Sequence, residues 1–353
     1  MDRREFLISS GAAVAAASPA AAQTEAASVL PASRTGTGTL LRLSMIWADA
    51  PHGPADSARR LARRIESMTD GRYRVEVDSA QDGASDTADL VHGSAHDFSA
   101  LHPAFAYFAG LPGSGGLAPQ DLAHWIAVGG GQMLWDDLAG RHGWKPLLAG
   151  HSGDAPPLWS RQPINGLADL AGQRLAAPGL GADVARALGA EALEAPVAVV
   201  GALADGSVFA AETGGLATSL ASGIASFAPY ATGQGLNGHG TALALNVRLA
   251  VWDRLSESDK AIFAAAAAEE FQLAIAEERA HTGLARRVLE ASKGVRFAPW
   301  PADIADALDR VAEATIAHVA GRDDLALRID QSYMAFRSLL SGTPVPRRSP
   351  PIA

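Results

Sequence analysis

Residues Ile164–Gly215 read INGLADLAGQRLAAPG, then LGADVARALGAEALEAPVAVVGALADG, then SVFAAETGG. Gln173–Ala177 is strand-like, and Pro178-Gly179 stops it. Asp183–Leu188 continues as a short helix that ends at Gly189. Ala195–Val200 is apolar and β-branched, which predicts a buried strand. An Asp205-Gly206 turn precedes Phe209-Ala210-Ala211-Glu212. Strand, turn, helix and strand in this order make a βαβ unit, and such a unit implies an α/β protein.

Outward from this unit the same alternation continues. Leu40–Met45 alternates as a strand with Trp47 at its end. Ala55–Met68 places Leu61, Ile65 and Met68 on one helical face and Arg59, Arg60, Arg63 and Arg64 on the other, a solvated face. Tyr73–Val77 alternates again, and Trp144–Gly150 reads as a further strand. Thr241–Asn246 is a strand that returns to the first half of the chain. Ser256 is an N-cap for an alanine-rich helix over Glu257–Ser292, with Asp259 in its first turn. Val295–Phe297 predicts a short strand, Ala302–Ala320 a helix, and residues 323–340 a last helix.

Composition narrows the function. The 353 residues carry a net charge of −9, which disfavours nucleic acid, since phosphate recognition needs a basic face. There is no cysteine, so disulfides, thiolate metal sites and a lipid-anchoring cysteine are excluded. At the N-terminus Arg3-Arg4 precedes an apolar run over Leu7–Ala22 that ends Ala20-Ala21-Ala22-Gln23. Basic pair, short apolar run and small-residue cleavage site in order predict a twin-arginine signal over 1–22 and a freely soluble periplasmic protein. The run is too short for a membrane span. Residues 23–38 are a polar leader, and the proline-rich tail from 342 reads as disordered.

Several motifs repeat a known order. Asp169, Leu170, Gly172, Arg174, Pro178, Gly179 and Glu212 fit a D-L-x-G-x-K-x-R-x-P-G segment followed some thirty residues later by Glu-Trp. Pro103–Phe108, Trp125 with Gly129–Gly131, Trp252 with Leu255, and Ser332-Tyr333 with Phe336 fit flanking blocks over residues 40–340. The chain thereby resembles the solute receptors of TRAP transporters, the DctP-like family, and within it the branch that binds 2-oxo acids and related monocarboxylates.

The resemblance implies a bilobal periplasmic-binding-protein fold. Lobe one is expected over 39–152 plus 240–275, lobe two over 153–239 plus 276–300, and C-terminal helices over 301–341. It implies a helix-then-strand order over Asp89–Phe98. It also implies a receptor that performs no chemistry, captures a small organic solute between lobes and presents it to TRAP membrane permease subunits. No cofactor is expected; a cation bridging the ligand and Glu212 is allowed, as is a homodimer through the C-terminal helix. A degenerate sensing or scaffold receptor and a secreted α/β enzyme are the alternatives.

By resemblance the ligand-binding residues are Glu212, Thr213, Ala176, Ala155, Trp159, Arg174, Trp47 and His151, with Glu212 as the metal ligand if a cation binds. Three of these depart from the family. Its arginine falls on Ala176, its tryptophan on Thr213 and its glutamine on Ala155. Loss of the arginine removes a planar two-pronged grip on a carboxylate. Arg174 stands two residues earlier on the same strand, displaced by about 6.6 Å; it also reads as a surface arginine at the strand start. A bulkier or less acidic solute is expected, with Glu212 accepting from an amine or hydroxyl. Gly233–Gly238 spells G-x-G-x-x-G but opens no helix, so it reads as a hinge-side loop. His92 and His96 are four apart, yet Gly93 interrupts any helix between them.

Overall fold

The computed structural model describes residues 38–47, 53–79, 87–194 and 199–342. The expected signal, the leader up to residue 37 and the tail from 343 lie outside these residues, as do 195–198 of the expected strand.

The chain begins β1 (Thr39–Met45), α1 (Pro54–Met68), β2 (Tyr73–Ser79) and β3 (Leu90–Ser94). Two helices, α2 (Pro119–Ala127) and α3 (Gly131–Gly140), lead to β4 (Trp144–His151). After β5 (Leu158–Ser160) come β6 (Arg174–Ala177), α4 (Leu180–Ala187), β7 (Glu191–Glu194), α5 (Val199–Asp205) and β8 (Ala210–Glu212). Then follow α6 (Leu216–Ser222), β9 (Tyr230–Thr232), β10 (Ala242–Arg248), α7 (Glu257–Lys293), β11 (Arg296–Ala298), α8 (Ala302–Ala320) and α9 (Asp324–Ser341).

The strands form two sheets. The first has the order β2-β1-β3-β10-β4 and the second β11-β9-β5-β8-β6-β7. β10 enters the first sheet antiparallel to both β3 and β4, with Leu245 opposite His92 on one side and Leu147 on the other. The chain therefore leaves the first sheet after β4, builds most of the second, and comes back through β10. Each sheet is covered on both faces, as an α/β layer requires. In the first, α1 and the start of α7 cover one face around Leu43, Ile65 and Phe263. The other face holds Phe108 stacked on Trp125 and Trp135, with ring centroids 5.2 and 5.1 Å apart. Burial of each such ring contributes about 1.5–3 kcal/mol.

Two helices serve both sheets. Phe263 and Ala266 of α7 pack under the first sheet, and Leu289 of the same helix packs under the second. Likewise α8 gives Ile304 and Leu308 to the core of the second sheet and Ile316 and Val319 to that of the first. The architecture is a bilobal α/β fold with long helices bridging the lobes. At 37 residues α7 is about 55 Å long. Ser256 caps its start by accepting the Asp259 N–H at 3.1 Å, and Gly294 ends it at φ +68°.

Two expected elements differ. Asp89–Phe98 is strand first and 3-10 turn second. The reason is position: β3 is central, all five of its residues are buried, and its histidine and glycine sit between two strands. Ser94 then opens the turn, accepting from the His96 N–H while Asp97 accepts from the Ser94 N–H. The Ala195–Val200 strand is the second correction. Val199 and Val200 begin α5, and the strand beside β6 is the preceding Glu191–Glu194.

Candidate functional site

A cavity of about 370 Å³ lies where the two lobes meet. The N-terminal turn of α1 forms one wall and α6 of the other lobe faces it. The end of β4 closes a third side with His151 and Ser152, and the middle of α7 forms the fourth with Ala274, Glu277, Glu278 and His281. Gly53 at the start of α1 and Thr218 of α6 nearly touch: a Cβ on Gly53 would lie 3.3 Å from the threonine hydroxyl. Gly53 also holds φ +73°, so the approach of the lobes and the entry into α1 both depend on glycine.

Charge is unevenly distributed around this space. Arg60 of α1 contacts Asp56 at 2.7 Å, Glu270 at 2.6 Å and Glu277 at 3.0 Å. Ser57 donates to Glu270 at 2.7 Å, and Arg64 reaches Glu269 at 2.8 Å. Glu270 is fully buried, so the guanidinium that neutralises it is held in place: removing either partner of such a pair is costly. The arginine run expected to be solvated is therefore only partly so. Arg63 is exposed, whereas Arg60 and Arg64 turn onto α7.

Glu278 is placed differently. It is half-buried against Gly215 and Gly153, and accepts from the Thr282 hydroxyl at 3.0 Å. Burial pushes its carboxyl up, while the Thr282 hydroxyl, the N–H groups of Ala217 and Leu216, and His281 pull the other way. Among the described residues no arginine or lysine is paired with it.

His151 is 6% exposed, and burial lowers its pKa to about 4, so the ring is neutral. Its Nδ1 accepts the Gly153 N–H at 3.2 Å. The ring proton is thereby on Nε2, which has no hydrogen-bond partner among the described residues.

Glu212, at the end of β8, occupies a separate setting. It is 2% exposed and lies beneath the loop Gly235–Asn237. One oxygen accepts the N–H groups of Leu236 and Asn237, and the other accepts Asn237 Nδ2 at 2.8 Å. The same Nδ2 donates to Pro178 O at 3.0 Å, tying the loop to the end of β6. A Cβ on Gly235 would come within 2.3 Å of the carboxylate and 2.8 Å of Pro156 O, so only glycine fits there. Burial raises the Glu212 pKa to about 7 against the pull of Asn237 and Leu236. The G-x-G-x-x-G string is thus a carboxylate-wrapping loop between β9 and β10, and it opens no helix.

Of the eight residues named from sequence, His151 alone lines the cavity. Ala176 and Trp159 are fully buried in the apolar cluster under β6 and β8, with Trp159 Nε1 donating to Ser219 at 3.2 Å. Thr213 shares a hydrogen bond with the same Ser219 at 3.2 Å. Arg174 and Ala155 are exposed, and Ala155 has φ +48°. Trp47 donates to His92 Nδ1 at 2.9 Å, and His92 is buried and neutral with a pKa near 4. His92 and His96 lie on different elements and form no ligand pair; His96 packs against Gly179 across the lobes. Among the described residues no group of three or more histidines and carboxylates could hold a metal. Sequence reasoning missed Asp56, Arg60, Glu277, Glu278 and His281. The adjacent Glu277-Glu278 pair in an alanine-rich helix, with a histidine three residues on, was the available signal.

Comparison with known proteins agrees with this architecture. A monocarboxylate 2-oxoacid-binding periplasmic protein from Nostoc sp. is 27% identical over 310 residues, covering 84% of this chain and 83% of that protein. A TRAP transporter solute-binding protein from Bordetella bronchiseptica, with copurified calcium and picolinate, superposes with TM-score 0.81 at 23% identity, covering 86% of this chain and 93% of that one. One from Pseudoalteromonas atlantica, with sodium and pyruvate, gives TM-score 0.80 at 22% identity, covering 86% and 95%. The family model described as bacterial extracellular solute-binding protein, family 7, matches residues 45–320, most of the chain, and the chain belongs to that family.

Proposed function

We propose that this protein is the extracytoplasmic receptor of a TRAP-type transporter. It captures a small polar solute at the lobe junction and presents it to the membrane permease subunits. The observation that carries this reading is a cavity walled by α1, α6 and the middle of α7, so that its contents touch both lobes and the helix that bridges them. A solute there favours the closed arrangement by binding both sides of it. The family is one of solute receptors and not of enzymes, and among the described residues no helix is long and apolar enough to cross a membrane.

Export by the twin-arginine route to the periplasm is part of this reading, and rests on Arg3-Arg4 and the apolar run after them. A homodimer through the C-terminal helix rests on the resemblance alone. A cation-bridged 2-oxo acid at Glu212, as the relatives' ligands suggest, has less support. A cation there would have to displace three N–H donors, and the family's guanidinium position is the buried Ala176.

The test is mass spectrometry of solute released on denaturing the purified protein. Small-angle scattering before and after adding the identified solute back completes it. A released small molecule whose return raises Tm and shrinks the radius of gyration is expected. A protein that yields no solute and shows one unchanging radius with every solute tried is not a receptor.

A further inference from the structure

The junction cavity has the wrong charge for the acids bound by its relatives. Asp56, Glu277 and Glu278 line it, and Glu270 lies directly behind. Among the described residues the lining contains one guanidinium, Arg60, and this is already shared by Asp56, Glu270 and Glu277. An entering carboxylate would meet the three lining carboxylates with no free arginine or lysine among the described residues to grip it, since Glu278 is held only by the Thr282 hydroxyl, the Leu216 and Ala217 N–H groups and the nearby His281, a mismatch that costs heavily where water is excluded. An ammonium group meets the opposite condition. It carries three donors and no acceptor, which is what a pair of carboxylates on one helix turn lacks.

Acidic side chains alone would say little, because carboxylates on a helix are commonly solvated. His151 supplies the second, independent feature. It is more than nine-tenths buried, it lines the same cavity, and its Nδ1 is turned back to the Gly153 N–H. That leaves an Nε2–H donor without a partner among the described residues. Unlike the ring nitrogens of His96, this Nε2 is not sealed off from solvent, so within the cavity it can give its N–H to a ligand oxygen in place of water. The cavity thus offers carboxylates on the α7 side and a lone N–H donor at the end of β4.

We propose, on the basis of the receptor reading above, that the solute is a small molecule bearing a protonated amine and an oxygen acceptor. Glu278 and Glu277 hold the ammonium, and His151 Nε2–H donates to the oxygen. Glu278 is the discriminating residue, since it alone of the three lining carboxylates has no arginine or lysine partner among the described residues. Glu277 adds to the field while it remains bound to Arg60. A 370 Å³ space accommodates an amino alcohol with ordered water.

The test is calorimetric titration of the full-length mature protein, stripped of ligand by unfolding and refolding, with ethanolamine, 3-amino-1-propanol, pyruvate and glycolate. Saturable binding of ethanolamine or 3-amino-1-propanol is expected, with none for the two acids. Glu278→Gln should weaken amine binding by about ten- to a hundredfold, the worth of one charged hydrogen bond in a partly buried site. Glu277→Gln, on a more exposed side chain, should weaken it less and guards against a folding defect at 278. Binding of pyruvate or glycolate without the amines overturns the proposal, as does amine binding unaffected by both substitutions, or binding of none of the four. The receptor reading is judged apart from this. If the released native solute is an acid, the receptor stands and the amine assignment falls; if nothing is released and the lobes never close, the receptor reading itself fails.

Discussion

Two glutamates near the lobe junction have opposite surroundings. Glu212 ends a strand, is almost wholly buried, and is wrapped by a loop whose three donors point at it. Glu278 stands in the middle of α7, half-buried at the edge of a cavity, facing the Thr282 hydroxyl and the N–H groups of Leu216 and Ala217. Both have raised carboxyl pKa values, and in both burial is the largest cause. The difference lies in what compensates that burial. For Glu212 it is the chain itself, which makes the residue an internal brace between β8, the Gly235–Asn237 loop and the end of β6. For Glu278 it is the Thr282 hydroxyl, the Leu216 and Ala217 N–H groups of the other lobe and His281, and its carboxylate also borders an open space, which suits a ligand. The residue with the stronger family signature thus holds the second lobe together, and the unmarked one faces the solute.

This contrast breaks most visibly at Glu212. Replacement by alanine leaves the Leu236 and Asn237 N–H groups and Asn237 Nδ2 facing a void, at about 1–3 kcal/mol each where water cannot enter. Glu212→Ala should therefore lose about 3–6 kcal/mol in urea denaturation. A loss below about 1 kcal/mol would show that the loop does not depend on the carboxylate.

The second effect is a pH dependence. The folded state raises the Glu212 pKa from 4.5 to about 7, so between those values the folded protein keeps a proton that the unfolded chain releases. Stability from this group is then fully present below pH 4.5 and is lost as pH rises to 7, by about 3 kcal/mol in all. His92, His96 and His151, each lowered from 6.5 to about 4, act in the reverse sense over nearly the same range. The wild-type curve alone is therefore ambiguous, and the difference between wild type and Glu212→Gln isolates the glutamate. That difference should change steadily from pH 4.5 to 7 and stay level above. A flat difference would mean that Glu212 titrates normally and is not the buried brace described.

The fold was legible because its elements carry their own punctuation. Pro178-Gly179 after a four-residue strand, Ser256 before an alanine-rich helix, and Gly294 after it each have a local physical reason. Asp89–Phe98 misled because a fully buried central strand has no alternation to show its period, and Leu90–Ser94 hides a neutral histidine in the core. The site was less legible than the fold. Glu212 was marked by its motif, but its wrapping by a loop 25 residues later is a tertiary fact with no local trace. Glu277, Glu278 and His281 sit on a helix that is polar over much of its surface, so no period separates a solute-facing side from a solvated one. Arg60 was hidden among four arginines of similar spacing; only packing against α7 tells it from Arg63.

The smallest expected effect sharpens the comparison most. If Glu278 is held for a ligand and not for the fold, then neutralising it should cost the apo protein nothing. Its carboxyl is raised, so the charged form is disfavoured in the folded state, and Glu278→Gln keeps the shape while removing the charge. The amide oxygen can still accept from Thr282, now at 3.0 Å from the carboxylate. Ligand-free Glu278→Gln should match or exceed the wild type in stability, by less than about 1 kcal/mol. Glu212→Gln is a useful partner in the same measurement, because its amide N–H₂ would oppose the Asn237 Nδ2 donor and so cannot be innocuous at low pH. A clear loss of apo stability in Glu278→Gln would make it a second brace across Gly153 and Gly215, and the two glutamates would no longer differ in kind.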